Sequence, residues 1–150
     1  MNLKIWPGSV KSAMLVIIQF ACLFILGYTG QLIPQNYILT SIIILSLFLA
    51  LWAMIIMKFN FNAAPEVLPG VTLKTNGPYK LIRHPMYTAI FGLTIPWIVN
   101  DFSLFRLITF LILLVNQFIK MHYEEKMLSE KFPEYTEYKK RTKRIIPFIF

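Results

Sequence analysis

The sequence has a single cysteine, Cys22, set in the middle of an apolar run. No intrachain disulfide is open to it, and His122 has no partner cysteines with which to build a metal site, so no metal is expected. Charge is scarce: 15% of the 150 residues are charged, against about a quarter in an ordinary soluble domain. No glycine-rich phosphate loop, internal repeat or low-complexity tract is present. No cleavable signal peptide is expected either, because the first apolar block is too long for one and no small-residue cleavage site follows it. What fills the space is apolar: 57% of the residues are hydrophobic, gathered in long uncharged blocks. That distribution is the signature of a membrane protein, and the length fits one domain.

Ser12 to Ile33 runs for 22 positions without a charge, and Tyr37 to Met57 for 21. A helix needs about 20 apolar residues to cross the hydrocarbon core. The connection Pro34-Gln35-Asn36 is short and uncharged, which makes the two helices antiparallel neighbours. Lys58 to His84 holds Pro65, Pro69, Gly70, Gly77 and Pro78, too many breakers for one helix, and reads as a structured surface loop. Pro85 to Val99 is apolar but only 15 positions long, with Pro96 inside it. At 1.5 Å per residue it reaches about 22 Å, enough for a tilted or kinked span or for a re-entrant segment buried in protein. Phe102 to Met121 is the last block. The expected fold is therefore all-α and integral to the membrane: about four transmembrane helices (12–33, 37–57, 85–99 and 102–121), a cytoplasmic loop over 58–84, and a tail over 122–150 that continues as a cytoplasmic helix.

Fourteen of the fifteen basic residues then fall on one side, Arg106 being the exception. The positive-inside rule makes that side cytoplasmic, with both termini there, and an odd number of crossings would separate the loop from the tail. The formal net charge of +8 accordingly reports orientation and attraction to anionic lipid rather than nucleic acid. Arg106 reads as a snorkelling residue, and Gln19, Asn100 and Asp101 as turn or interhelical hydrogen bonding.

Two places on the cytoplasmic side carry residues that topology does not need. At the first, Gly77 to Tyr87, Pro85 disfavours helix at His84 and suits a first helical position, which puts His84 at the cap of the third block. Backbone N–H groups and the positive dipole end would favour a carboxylate there, and Tyr87 and Phe91 stack on the same face. The plainer reading is a headgroup-level belt of Tyr, His, Lys and Arg. At the second, Gln117, Lys120 and Glu124 share one helical face, with Glu125 beside them. Glu124 can hold an ammonium group; the plainer reading is a solvated pair with Lys120, four residues earlier.

The run Leu73-Lys74-Thr75-Asn76-Gly77-Pro78-Tyr79, continuing to Arg83-His84-Pro85-Met86-Tyr87, resembles the signature of the isoprenylcysteine carboxyl methyltransferase family. So does Glu124-Glu125 followed by Leu128, Phe132-Pro133-Glu134-Tyr135 and Tyr138-Lys139-Lys140-Arg141. Asn60-Phe61-Asn62 is similar to the stretch before the family's loop, and related membrane phospholipid methyltransferases share the broad pattern. The resemblance implies S-adenosyl-L-methionine as cofactor, bound on the cytoplasmic side. It implies a lipophilic or lipidated acceptor, such as a prenylcysteine-like carboxylate, with membrane lipids as surroundings and no nucleic acid. Tyr79, His84, Pro85, Met86, Tyr87 and the backbone of Val71, Thr72, Leu73 and Lys74 would line the cofactor site. Glu124 would hold the cofactor ammonium beside Glu125, and Glu66 falls near a cofactor-contacting glutamine. Lys120 stands where the family has a substrate-facing arginine and, with Arg83, is the candidate for the chemistry.

Two other functions fit parts of the sequence. One is an NADPH-dependent membrane reductase of the sterol-reductase type, with the basic tail taking the 2′-phosphate; the paired glutamates favour the methyltransferase over it. The other is a non-enzymatic membrane scaffold, transporter subunit or lipid-binding protein.

Overall fold

The computed structural model describes residues 9–58, 70, 72–147 and 149. Within them lie α1 (Val10–Tyr28), α2 (Tyr37–Ile56), a 3-10 turn (Gly77–Lys80), α3 (Pro85–Asn100), α4 (Leu104–Lys131) and α5 (Tyr135–Arg141). No strand is present among the described residues; the one isolated bridge pairs Ile82 with Lys143.

Side chains start the helices where the sequence offers caps. Ser9 accepts from the Ser12 amide, Asn36 from those of Ile38 and Leu39, and Ser103 from that of Arg106, each satisfying N–H groups that have no partner inside the helix. α3 starts differently, with His84 at the cap, its side chain making no capping bond, and Pro85 behind it. α2 stops at Met57, after which Lys58 takes the left-handed conformation (φ 52°) common past a helix end.

One boundary differs from the sequence expectation. α1 ends at Tyr28 rather than Ile33, because Arg106 arrives from α4 and takes the Leu26 carbonyl at 2.9 Å and the Thr29 hydroxyl at 2.8 Å. α4 runs on past Met121 to Lys131, the helical continuation expected at the start of the tail. At 1.5 Å per residue it is about 42 Å long, about two-fifths more than a bilayer core. Its last turns therefore stand at and beyond the membrane surface.

Three helices, α1, α2 and α4, are long and apolar enough to cross a membrane; α3, at 16 residues, is not among them. About four transmembrane helices were expected from the sequence, the third of them short for a full crossing. Contacts nevertheless run the four alternately up and down, although α1 and α2, expected to be neighbours, pack on α4 and α3 rather than on each other. Trp97 near the end of α3 meets Arg106 at the start of α4 and Leu32 beyond α1. At the opposite end Tyr87 near the start of α3 meets Glu124 late in α4. α2 packs chiefly along α3, with Gly92 of α3 set directly against the Ser46 side chain, and α1 packs chiefly along α4. Small residues of this kind let helices approach closely where no water drives them together.

The surface is apolar and the interior carries the polar groups. Ile17, Phe24, Ile44, Leu45 and Val115 all face outward, while Ser12, Gln19, Thr94, Thr109, Asn116 and Gln117 are buried. This inversion is stable only in lipid, and the chain is an integral membrane protein. Arg106 is part of that interior: it is 3% exposed and donates to Leu26, Thr29 and Trp97. The snorkelling expected of it is therefore replaced by a buried tie between α1, α3 and α4.

Candidate functional site

The loop, the start of α3, the last turns of α4 and the tail converge at one end of the bundle. Gly77 makes the loop turn possible. It has φ 58°, and a Cβ there would meet Ile56 of α2 at 2.8 Å. The turn it opens presents Tyr79. The tail then clips the segment before α3. The Arg83 amide donates to the Lys143 carbonyl at 2.8 Å, the His84 amide to that of Arg144 at 2.9 Å, and the Thr88 hydroxyl to that of Ile145 at 2.7 Å. The Tyr138 hydroxyl of α5 reaches the Tyr79 carbonyl at 2.6 Å. One amide at the start of α3, that of His84, is thus spent on the tail rather than offered to a ligand.

Consecutive glutamates on α4 point about 100° apart, and their surroundings differ accordingly. Glu125 is 3% exposed. One of its oxygens takes Arg83 Nε at 2.8 Å and His84 Nε2 at 3.2 Å, and the other takes Arg144 Nη2 at 3.2 Å. Arg83 spends its remaining reach on the tail, donating to the Thr142 carbonyl at 2.5 Å. Glu124, by contrast, keeps about a third of its side chain exposed. Its Oε2 accepts from the Tyr87 hydroxyl at 3.0 Å and lies 3.8 Å from His84 Nδ1.

Glu124 opens into a cleft at this end of the bundle. Thr72, Leu73 and Lys74 from the loop form one wall, with Tyr79 and Arg83. Leu128, Phe132, Tyr135 and Tyr138 form the other, and Met57 closes the end of α2. Burial first, and the Glu124 charge second, push the Tyr79 phenol well above its usual value. Burial also raises Tyr135 and Tyr138, so all three rings stay neutral. The Tyr135 hydroxyl is buried with no partner among the described residues. A carboxylate set among aromatic faces suits a cation.

The residues singled out in the sequence therefore fall in three groups. Thr72, Leu73, Lys74, Tyr79, Arg83 and Glu124 line the cleft. His84 and Tyr87 stand behind Glu124, Tyr87 bonded to it and His84 beside it, with Pro85 buried and Met86 half-buried in the same first turn of α3. Glu125 lies outside the lining, held by its three cationic and imidazole partners. Lys120 sits one turn deeper, 1% exposed, donating to Gln19 of α1 and 5.6 Å from the centre of the Tyr87 ring. It is not the solvated partner of Glu124 that spacing alone suggested. Glu66, Val71 and the stretch Asn60-Phe61-Asn62 lie outside the described residues. Met57, Leu128, Tyr135 and Tyr138 were not among the expected site residues. Leu128, four positions after Glu124, was within reach of helical spacing; the others depend on how distant segments pack. No group of three or more metal-binding side chains occurs among the described residues.

No curated protein matches the sequence. A family model, that of the isoprenylcysteine carboxyl methyltransferase (ICMT) family, matches residues 38–130. That stretch is well over half of the chain, running from α2 through the loop and α3 almost to the end of α4, and it takes in one wall of the cleft together with Glu124. α1 and α5 lie outside it. The chain belongs to the isoprenylcysteine carboxyl methyltransferase family, a family of membrane methyltransferases.

Proposed function

We propose that the chain transfers a methyl group from S-adenosyl-L-methionine, bound in the Glu124 cleft, to a lipophilic acceptor carried by the membrane. The observation that supports this most is Glu124 itself. It is a partly exposed carboxylate, steadied by Tyr87 and His84, at the edge of a cleft walled by Tyr79, Phe132, Tyr135 and Tyr138. The cofactor brings an ammonium, a carboxylate, an adenine and a methyl carried on a sulfonium. Glu124 receives the ammonium, and the aromatic walls take the adenine and shield the cationic centre. The unpartnered Tyr135 hydroxyl gives a polar group of the ligand a buried partner. Glu125 acts behind the site and, through Arg83 of the cleft wall, holds loop, α3 and tail together.

On the other side of Tyr87, Lys120 supplies a buried positive charge for an anionic acceptor. With a carboxylate acceptor the chain needs no general base. The acceptor oxygen gains the methyl as the bond to sulfur breaks, and no proton moves, so orientation is the chain's main contribution. The basic loop and tail support a cytoplasmic position for this end of the bundle, with both termini there and α3 completing a fourth crossing.

The test is methyl transfer in proteoliposomes, with methyl-labelled S-adenosyl-L-methionine and N-acetyl-S-farnesylcysteine as acceptor. Base-labile label in the lipid extract is expected. Absence of any transfer, to this acceptor or to the vesicle lipids, together with oxidation of NADPH when a sterol is supplied, would replace the reading by the reductase.

A further inference from the structure

α1 lies outside the stretch matched by the family model, yet it reaches the acceptor side of the candidate site. Its Gln19 is 7% exposed, and its side-chain oxygen accepts from the Lys120 ammonium. The contact follows from helix geometry. Side chains lean toward the N-terminus of their own helix. α1 and α4 run antiparallel, so residues 19 and 120 lean toward one another across the level where Asn116 Nδ2 donates to the Leu15 carbonyl at 3.0 Å. That second bond fixes the register of the pair.

We propose that Gln19 is a positioning residue for the acceptor, holding the Lys120 ammonium beside the Tyr87 ring so that it faces the acceptor's anionic end. The assignment rests on the methyltransferase reading and adds α1 to the site. The choice of side chain matters. A carboxamide accepts a hydrogen bond from the ammonium without cancelling its charge, whereas a glutamate at the same place would neutralise it. Charged groups buried at membrane depth are costly and mark functional sites. A second observation points to a ligand here. Gln117, on the face of Lys120 and three residues before it, is fully buried, and neither of its amide atoms has a partner among the described residues. An acceptor whose carboxylate meets Lys120 would bring polar groups within reach of that amide.

The experiment compares the full-length wild type with Gln19→Met, Gln19→Glu, Lys120→Met and the double variant Gln19→Met/Lys120→Met, all in proteoliposomes. N-acetyl-S-farnesylcysteine is the acceptor, and S-adenosylhomocysteine binding is measured in parallel. Both Gln19 variants should bind S-adenosylhomocysteine within about twofold of wild type and raise KM for the acceptor by about tenfold or more, the scale of a hydrogen bond to a charged group. The double variant should be no worse than Lys120→Met, since Gln19 acts only through that ammonium. A merely structural role for Gln19 would instead give additive losses. Additivity, or an unchanged KM in Gln19→Met, overturns the assignment. Wild-type protein that binds S-adenosylhomocysteine but neither binds nor methylates the acceptor overturns the assignment while leaving the methyltransferase standing. Wild-type protein that binds no S-adenosylhomocysteine removes both.

Discussion

Tyr87 of α3 donates its hydroxyl to Glu124 of α4 at 3.0 Å, joining two residues that lie 37 positions apart in sequence. Tyr87 is buried and Glu124 is not, so the bond reaches from the packed core to the edge of the cleft. It fixes one oxygen of the carboxylate and leaves the other side of the group turned to the ligand space.

Tyr87→Phe removes that bond and little else, because the ring keeps its place against Phe91 and Met121. Affinity for S-adenosylhomocysteine, read by calorimetry in detergent, should fall roughly ten- to a hundredfold, the value of one hydrogen bond to a charged group. The thermal midpoint should change little. An affinity equal to wild type would show that Glu124 needs no orientation from α3.

Glu125→Gln should act on the fold rather than on the ligand. It leaves Arg83 and His84 buried without their carboxylate. Breaking a buried ion cluster from one side costs about 3–5 kcal/mol. The thermal midpoint should drop clearly, and amide exchange should rise in 142–147, where the tail is clipped to the segment before α3. Full stability in this variant would contradict the structural role given to Glu125.

Gly30→Ala tests the opposite end of the bundle. A Cβ at this position would lie 2.5 Å from Arg106 Nη1 and 2.7 Å from its Cζ. Arg106 has little room to retreat, being buried and bonded to three groups. Overpacking of this kind costs about 1–3 kcal/mol. A lower thermal midpoint with unchanged S-adenosylhomocysteine affinity is expected, since the cleft lies at the other end; a variant as stable as wild type would mean that Arg106 is free to move.

Orientation is open to direct labelling. In a Cys22→Ser background, single cysteines at Gln31 and Phe102 should react in intact cells with a maleimide that does not cross the membrane. Cysteines at Asn76 and Ser129 should react only after permeabilisation. Labelling of 102 and 76 from the same side would show that α3 does not cross.

Local chemistry made much of this legible in the sequence. The uncharged run after the short Pro34-Gln35-Asn36 connection places α2 to within one residue of its observed end. Pro85 places His84 at the start of α3. Spacing alone does not say which of two adjacent glutamates faces a ligand; that is decided by the rotation of α4 against α3. The early end of α1 was hidden for the same reason, because Arg106 comes from about 80 residues away. The continuation of α4 past Met121 was legible as a helical tail, but its stop at Lys131 was not, since its last turns lose the apolar pattern. Gln19 with Lys120 and the bridge of Ile82 with Lys143 are likewise contacts between distant segments, which no window of sequence contains.

The most direct test of the central claim is calorimetric titration of the purified protein with S-adenosylhomocysteine, beside Glu124→Ala and with NADPH as the competing ligand. Saturable binding of S-adenosylhomocysteine by the wild type, lost in Glu124→Ala and absent for NADPH, is predicted. Undiminished binding in Glu124→Ala would contradict the assignment of this cleft, and saturable binding of NADPH alone would contradict the methyltransferase itself.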